Sequence, residues 1–94
     1  MAVTDVYKAL ADETRRAILD ELAERDDQTL FELCARLAMK HGLTSSRQAV
    51  SQHLEVLEEA GLVHSEKRGR SKFLTIDIAP LAEVVTRWPL KENP

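Results

Sequence analysis

Cysteine, glycine, proline and aromatic residues are all scarce in this chain of 94 residues. Its single cysteine, Cys34, can form neither an internal disulfide nor a cage of several thiolates around a metal. No run approaches the roughly 18 apolar residues that a membrane span needs, and the N-terminus lacks the basic-then-apolar pattern of a signal peptide. We therefore expect one cytoplasmic domain, residues 1–94, without a membrane partner and too small for a large enzyme fold.

Negative charge prevails along the chain except in its middle. Residues 1–39 hold nine acids and five bases, residues 40–72 hold four acids and six bases, and residues 73–94 hold three acids and two bases. The net charge of −3 argues weakly against a nucleic-acid partner, but four of the six central bases lie within six consecutive residues. The cluster consists of Lys67, Arg68, Arg70 and Lys72. It is either part of a solvated loop or a surface that binds an anion.

Helical spacing of apolar residues predicts four helices in the first sixty residues. Asp12 and Ser46 stand where their side chains can cap a helix, and Thr29 with Glu32 has the pattern of a capping box. A polar run at residues 25–28 interrupts the second helix. We expect the helices at about 4–11, at 13–24, between the Thr29 cap and Gly42, and at 47–60, with Arg15 and Arg16 facing solvent or pairing with acids.

The last third of the chain changes pattern. Residues 62–66 and 72–76 are short β-prone runs, and Gly69 between them permits a tight reversal. A final helix is predicted from Leu81 to about Trp88, opened by Pro80 and closed by Pro89. The fold class is therefore mainly α with a small β-hairpin, in the order α-α-α-α-β-β-α.

The third and fourth helices, with a short connector, have the lengths of a helix-turn-helix across residues 29–60. The hairpin at 62–76 then forms the wing of a winged helix-turn-helix. Arg can bond guanine and Gln can bond adenine in bidentate fashion, so the first turns of the fourth helix would read bases. Hydroxyl groups before it and bases on the wing would contact phosphates. The expected DNA contacts are Thr44, Ser45, Ser46, Arg47, Gln48, Ser51, Gln52, Lys67, Arg68, Arg70 and Lys72.

His53 lies beside the apolar stripe of the fourth helix, and two roles stay open for it. It could pack under the helix while bonding a backbone carbonyl, or it could contact a DNA phosphate directly.

Three segments together resemble the ArsR/SmtB family of bacterial winged helix-turn-helix repressors: YKALADETRRAIL at 7–19, VSQHLEVLEEAGLV at 50–63 and RGR at 68–70. The resemblance covers roughly residues 5–80. It implies a homodimeric repressor that binds an imperfect palindromic operator in double-stranded DNA and occludes a promoter. It also implies a dimer interface formed by the two terminal helices, at Val6, Tyr7, Leu10, Leu81, Val84, Val85 and Trp88.

The metal sites of this family have no clear counterpart here. Where one family type has a second cysteine, this chain has Arg36, and residues 77–88 contain no histidine. Cys34 and His41 would stand about 10.5 Å apart along one helix, too far to share a zinc ion. A site shared across a dimer by the three histidines has no recognisable spacing. We therefore expect neither a metal nor another cofactor.

Two further alternatives remain from the sequence. Cys34 is expected to be a buried, inert side chain, and a redox switch is the other interpretation. An enzyme is not expected, because no nucleophile with a base, no phosphate-binding loop and no ligand triad is present. The second functional hypothesis is a protein-interaction module that has kept dimerisation and lost DNA binding, which the acidic net charge permits.

Overall fold

The computed structural model describes residues 3–88, and their element order follows the prediction with one added strand. None of the helices in this part of the chain is long and apolar enough to cross a membrane. The elements are α1 (Val3–Leu10), α2 (Glu13–Glu24), β1 (Gln28–Thr29), α3 (Leu30–His41), α4 (Arg47–Glu59), β2 (Val63–Arg68), β3 (Ser71–Ile76) and α5 (Leu81–Arg87).

The added strand β1 lies in the polar run that was expected only to interrupt the helices. Gln28 and Thr29 pair antiparallel with β3, which makes a three-stranded sheet in the order β1-β3-β2. Asp27, the residue before β1, has a φ of 61°, a left-handed conformation that Asp tolerates. The buried Gln28 side chain donates to the carbonyl oxygen of Arg25 at 2.6 Å, near the end of α2. Two residues are too few to show the alternation of a strand, so β1 could not be predicted from the sequence.

The helix starts agree with the predicted caps. The Asp12 carboxylate accepts from the Arg15 amide at 3.1 Å, and the Ser46 hydroxyl accepts from the Ala49 amide at 3.1 Å. Thr29 and Glu32 form the reciprocal capping box at the start of α3. Because these bonds join residues three apart, the local sequence already determines where α2, α3 and α4 begin.

Arg15 and Arg16 were expected to face solvent or pair with acids. Arg16 is exposed, as expected, whereas Arg15 is half-buried and bonds backbone carbonyls instead. The Arg15 side chain donates to the carbonyl oxygens of Ala9 and Lys8, both at 2.9 Å. Arg16 donates to the carbonyl oxygen of Leu10 at 2.7 Å. Both guanidinium groups therefore satisfy the last carbonyls of α1, which have no partner within that helix.

The core lies where α2, α3 and α4 meet one face of the sheet. It includes Ile18 and Leu22 of α2, and α3, α4, the loop before β2, β2 and β3 add further apolar side chains: Leu33, Leu37, Val50, Leu54, Leu57, Leu62, Val63 and Leu74. This packing buries one side of α4 and leaves the opposite side exposed beside the β2–β3 hairpin.

Candidate nucleic-acid interface

The exposed side of α4 carries the side chains that were expected to read bases. Arg47, Gln48 and Gln52 are exposed, opposite the buried stripe of the helix. Ser51 is half-buried and lies on the flank nearest the hairpin, where it lines a cleft together with Lys72. The first two turns of α4 therefore offer an arginine and two glutamines to a ligand.

The connector before α4 places three exposed hydroxyl groups, those of Thr44, Ser45 and Ser46, at the helix N-terminus. Because the Ser46 oxygen accepts the Ala49 amide, its own proton is left to donate outward. The positive end of the helix dipole adds to the attraction for an anion at this point.

The hairpin β2–β3 has two faces with different charge arrangements. Lys67 stands directly opposite Lys72 in the register, on the same face as Ser65. The Ser65 hydroxyl donates to the Glu58 carboxylate of α4 at 2.8 Å, so this face is turned toward α4. Lys67, Arg70 and Lys72 line one open depression. Like charges directly opposite each other destabilise a sheet, and an anion between them removes that cost.

Arg68 lies on the other face of the hairpin and is held by the protein itself. Its guanidinium donates to the Asp27 carboxylate at 2.9 Å and to the Glu66 carboxylate at 2.8 Å. It also lies 4.6 Å from the centroid of the Phe73 ring. The hydrogen bonds that Arg68 donates to Asp27 and Glu66 raise the pKa of its guanidinium above its ordinary value. Arg68 was expected to contact DNA like its neighbours on the wing; in the free protein it is paired with acids, and a contact with DNA stays a prediction.

The remaining cations of this surface are unpaired. Within residues 3–88, no ion pair involves Arg47, Lys67, Arg70 or Lys72. We use the name α4–wing face for the surface that combines the exposed side of α4 with the hairpin face that carries Lys67, Arg70 and Lys72. It carries these four cations although the whole chain has a net charge of −3, and Glu55 and Glu59 are exposed farther along α4.

His53 is half-buried at the junction of α1 and α2. Its Nδ1 lies 3.2 Å from the Arg15 guanidinium and 3.8 Å from the Asp12 carboxylate. The partner is therefore a side chain and not a backbone carbonyl, which was one of the two roles left open for His53. A phosphate contact by the other ring nitrogen stays a prediction. This contact could not be predicted from the sequence, because Arg15 and His53 are 38 residues apart.

The terminal helices expose only part of the expected dimer surface. Val6 is 3% exposed and belongs to the core of the subunit, so little of it remains for a partner, which corrects that assignment. Tyr7, Leu10, Leu81 and Val84 are half-buried. Val85 and Trp88 are 65% and 63% exposed, and the Trp88 ring lies 6.1 Å from that of Tyr7. The unburied apolar surface is thus concentrated on α5 and the residue that follows it.

Cys34 is half-buried rather than fully buried as expected. Burial raises the pKa of its thiol, although the charge of Arg47 acts in the opposite direction. Residues 3–88 contain no group of three or more His, Cys, Asp or Glu side chains placed to hold a metal ion. Two of the histidines contact separate carboxylates, His41 that of Glu21 and His64 that of Asp77, each at 2.9 Å.

A helix-turn-helix with an exposed arginine and two glutamines, followed by a hairpin with unpaired cations, defines a winged helix-turn-helix protein. The sequence model of the helix-turn-helix domain family matches residues 10–66. In solved structures, an ArsR-like transcriptional regulator from Rhodococcus sp. RHA1 is 38% identical with a TM-score of 0.77, over 90% of this chain and 72% of that one. The chain belongs to the ArsR family of winged helix-turn-helix transcriptional regulators.

Other similar proteins agree with this assignment. The uncharacterized HTH-type transcriptional regulator YuzN of Bacillus subtilis (strain 168) is 48% identical over 88% of this chain and 90% of its own. The arsenical resistance operon repressor of Escherichia coli (strain K12) is 35% identical over 69% of this chain and 50% of its own. The homodimeric winged helix-turn-helix DNA-binding domain of Mb0332 from Mycobacterium bovis is 27% identical with a TM-score of 0.71, over 90% of this chain and 75% of that one.

Proposed function

We propose that this regulator is a homodimeric repressor that binds an imperfect palindrome and occludes a promoter. The observation that carries the proposal is the α4–wing face, where four cations from the start of α4 to the tip of the hairpin form no ion pair within residues 3–88. A cation without an acidic partner releases a counterion when it neutralises a DNA phosphate, and this release favours binding. Since its target would be chromosomal DNA, we expect the protein to act in the cytoplasm.

Each part of the face has a separate task in this proposal. Arg47 would read guanine, and Gln48 and Gln52 would read adenine, from the major groove. Ser51 would assist from the flank of α4, and the hydroxyl groups of Thr44, Ser45 and Ser46 would fix the register on phosphates. Lys67 and Lys72 would neutralise the adjacent backbone, and Arg70 at the hairpin tip would enter the minor groove.

Dimerisation would use the exposed part of the terminal helices. Val85 and Trp88 give α5 an apolar surface, and the Tyr7 ring against Trp88 extends it to α1. The similarity to the homodimeric domain from Mycobacterium bovis supports this arrangement. Two-fold symmetry would place the half-sites about one helical turn apart, roughly 34–36 Å.

A protein-interaction module without DNA binding is the second candidate. Besides the acidic net charge, an exposed apolar stripe on α3 favours it, because Phe31 is 71% and Met39 84% exposed. Such surfaces are common at sites where proteins meet.

The decisive experiment is fluorescence anisotropy with two labelled duplexes, one from the region upstream of the gene for this protein and one of scrambled sequence. We expect selective binding, unchanged by added Zn²⁺, with a log–log salt slope of about −5 to −7 if each subunit contacts three or four phosphates. Absence of binding to either duplex at low salt would refute the DNA-binding proposal and favour the interaction module.

The dimer is tested with Trp88→Ala in sedimentation velocity. Truncation of a large aromatic side chain at an interface costs about 2 kcal/mol or more, so the dimer should dissociate at concentrations roughly 30-fold higher. Phe31→Ala is the matched control, because it removes an equally exposed aromatic ring from α3. An unchanged dimer in Trp88→Ala, or an equal loss in both variants, would place the interface elsewhere.

A further inference from the structure

The guanidinium of Arg15 joins three elements of the fold. Its Nε and Nη2 donate to the carbonyl oxygens of Ala9 and Lys8 at the end of α1, as described above. Its remaining nitrogen, Nη1, lies 3.2 Å from Nδ1 of His53 in α4. One side chain of α2 therefore connects the end of a terminal helix with the recognition helix.

The contact between Arg15 and His53 determines which ring nitrogen carries the proton. A guanidinium has five N–H donors and no acceptor, so Nδ1 of His53 must accept. A neutral imidazole that accepts at Nδ1 carries its proton on Nε2. In a protonated ring both nitrogens would be donors, and Nδ1 would face the Arg15 donor, with the Asp12 carboxylate 3.8 Å away. In the neutral ring, the contact with Arg15 therefore requires the tautomer that carries its proton on Nε2.

The other ring nitrogen, Nε2, reaches solvent. It makes no hydrogen bond within the described residues, and it is not among their buried polar atoms without a partner. His53 follows Ala49 by one helical turn, on the flank of α4 away from the wing. Its Nε2–H is thus an available donor on this flank.

We propose that Arg15 is a positioning residue for DNA recognition, because it holds His53 in the Nε2–H tautomer and fixes α4 against the end of α1. This inference rests on the proposed DNA-binding function. With α1 in the dimer, the angle between α1 and α4 sets the separation of the two recognition helices. The same contact directs the Nε2–H donor toward a phosphate.

Arg16 provides a matched control within the same helix. It also donates to a carbonyl oxygen at the end of α1, that of Leu10, and the structure gives it no hydrogen bond to α4. Arg15→Met and Arg16→Met both keep an unbranched side chain and remove the capping donors. Only Arg15→Met removes the contact with His53, so the comparison separates positioning from general support of α1.

The first readout is the tautomer of His53 in the free protein, from long-range ¹⁵N–¹H correlations of the ring at about pH 8, where an ordinary imidazole is neutral. Wild type and Arg16→Met should show the Nε2–H tautomer alone. Arg15→Met should show a mixture of both tautomers. A mixture in the wild type, or no change in Arg15→Met, would overturn the proposal.

The second readout is affinity for the upstream and scrambled duplexes. Arg15→Met should bind the upstream duplex about tenfold more weakly and the scrambled duplex within threefold of wild type, since a misplaced helix loses base contacts first. Arg16→Met should stay within threefold on both. Equal losses in the two variants would overturn the positioning role.

If Arg15→Met does not fold, as judged by circular dichroism, His53 is varied instead. His53→Gln keeps an acceptor for Arg15 and a donor for phosphate and should retain binding, whereas His53→Leu should lose about tenfold. Equal affinities for these two variants would overturn the proposal. Failure of the wild type to select the upstream duplex would instead refute the proposed function, and the tautomer measurement would still decide the contact between Arg15 and His53.

Discussion

Two faces of this domain carry clusters of basic side chains, and the clusters differ in what they contact. Between α2 and α3, the buried Glu21 carboxylate receives Arg36 at 2.7 Å, His41 at 2.9 Å and Lys40 at 3.3 Å. The more exposed Glu24 takes a second contact from Lys40 at 2.6 Å. On the α4–wing face, no acid pairs with the four cations within the described residues.

The difference shows that pairing, and not the number of charges, separates a structural cluster from a binding surface. The cations around Glu21 hold α3 against α2 and are neutralised there. The cations of the α4–wing face are available to bind an anionic ligand. Lys67 and Lys72 lie opposite each other, and their charges repel each other when no anion is bound between them. A count by segment assigns Lys40 to the positive middle of the chain, yet the structure places it in the neutralised cluster.

The largest effect of a substitution, a loss of stability, is expected in the cluster around Glu21 between α2 and α3. Burial opposes the charge of Glu21, but hydrogen bonds from His41, Arg36 and Lys40 outweigh it and lower the pKa of this carboxyl group. Glu21→Gln removes the charge and leaves Arg36 and Lys40 without this buried carboxylate, which should lower the free energy of unfolding by about 2 kcal/mol. Thermal unfolding followed by circular dichroism should show a midpoint roughly 8–16 °C lower.

The dependence of this effect on pH checks its origin. Because the pKa of Glu21 is lower in the folded state than its ordinary value of 4.5, its contribution is complete above that value. It is lost as the pH falls through the folded-state pKa, so wild type and Glu21→Gln should converge in acid. Glu24→Gln, which changes the exposed half of the cluster, should shift the midpoint by less than about 3 °C. Equal shifts for both variants would contradict a central role for the buried carboxylate.

Two arginines sharpen the comparison for DNA binding. Arg47 is exposed and unpaired, whereas Arg36 belongs to the structural cluster. Arg47→Ala should weaken binding to the upstream duplex by about 10–100-fold and to scrambled DNA much less, because a bidentate contact to guanine discriminates by that amount. Arg36→Ala should lower the unfolding midpoint and leave both affinities within threefold. If Arg47→Ala weakens both duplexes equally, Arg47 contacts phosphate and does not read a base.

The features that the sequence predicted correctly depend on neighbours within a few residues. The capping bonds of Asp12, Thr29 and Ser46 join residues three apart, and the exposed side of α4 follows from helical periodicity alone. The winged helix-turn-helix fold was therefore accessible from local pattern and motif order, and so was the position of the exposed residues on α4.

The features that the sequence missed depend on distant partners. β1 exists because Gln28 and Thr29 pair with Leu74 and Phe73. Arg68 differs from Lys67 in part because Asp27, 41 residues away, lies against its face of the hairpin. An apolar residue such as Val6 fits both a core and a dimer interface. The eight residues of α1 do not distinguish the two, so tertiary packing decides where Val6 lies.

The unpaired lysines of the wing should act on affinity and not on sequence preference. Lys67→Ala with Lys72→Ala should weaken both duplexes by similar factors and should reduce the magnitude of the log–log salt slope by roughly 2 to 4 per dimer, depending on whether the two lysines share one phosphate. Anisotropy over a salt series measures both quantities. An unchanged slope would mean that the wing does not touch the DNA backbone and that α4 binds alone.

The smallest effect is expected for Arg68, which has the same charge as Lys72 and lies in the same hairpin. Asp27 and Glu66 already neutralise it, so no counterion-releasing contact is lost in Arg68→Ala. The affinity of Arg68→Ala for both duplexes should stay within threefold of wild type, and its log–log salt slope should stay within about 0.5 of the wild-type slope. Lys72→Ala should instead reduce the magnitude of the slope by about 0.9 per subunit. Equal slopes for the two variants would show that Arg68 leaves its acids when DNA binds. In that case pairing in the free protein would not predict which cations contact DNA.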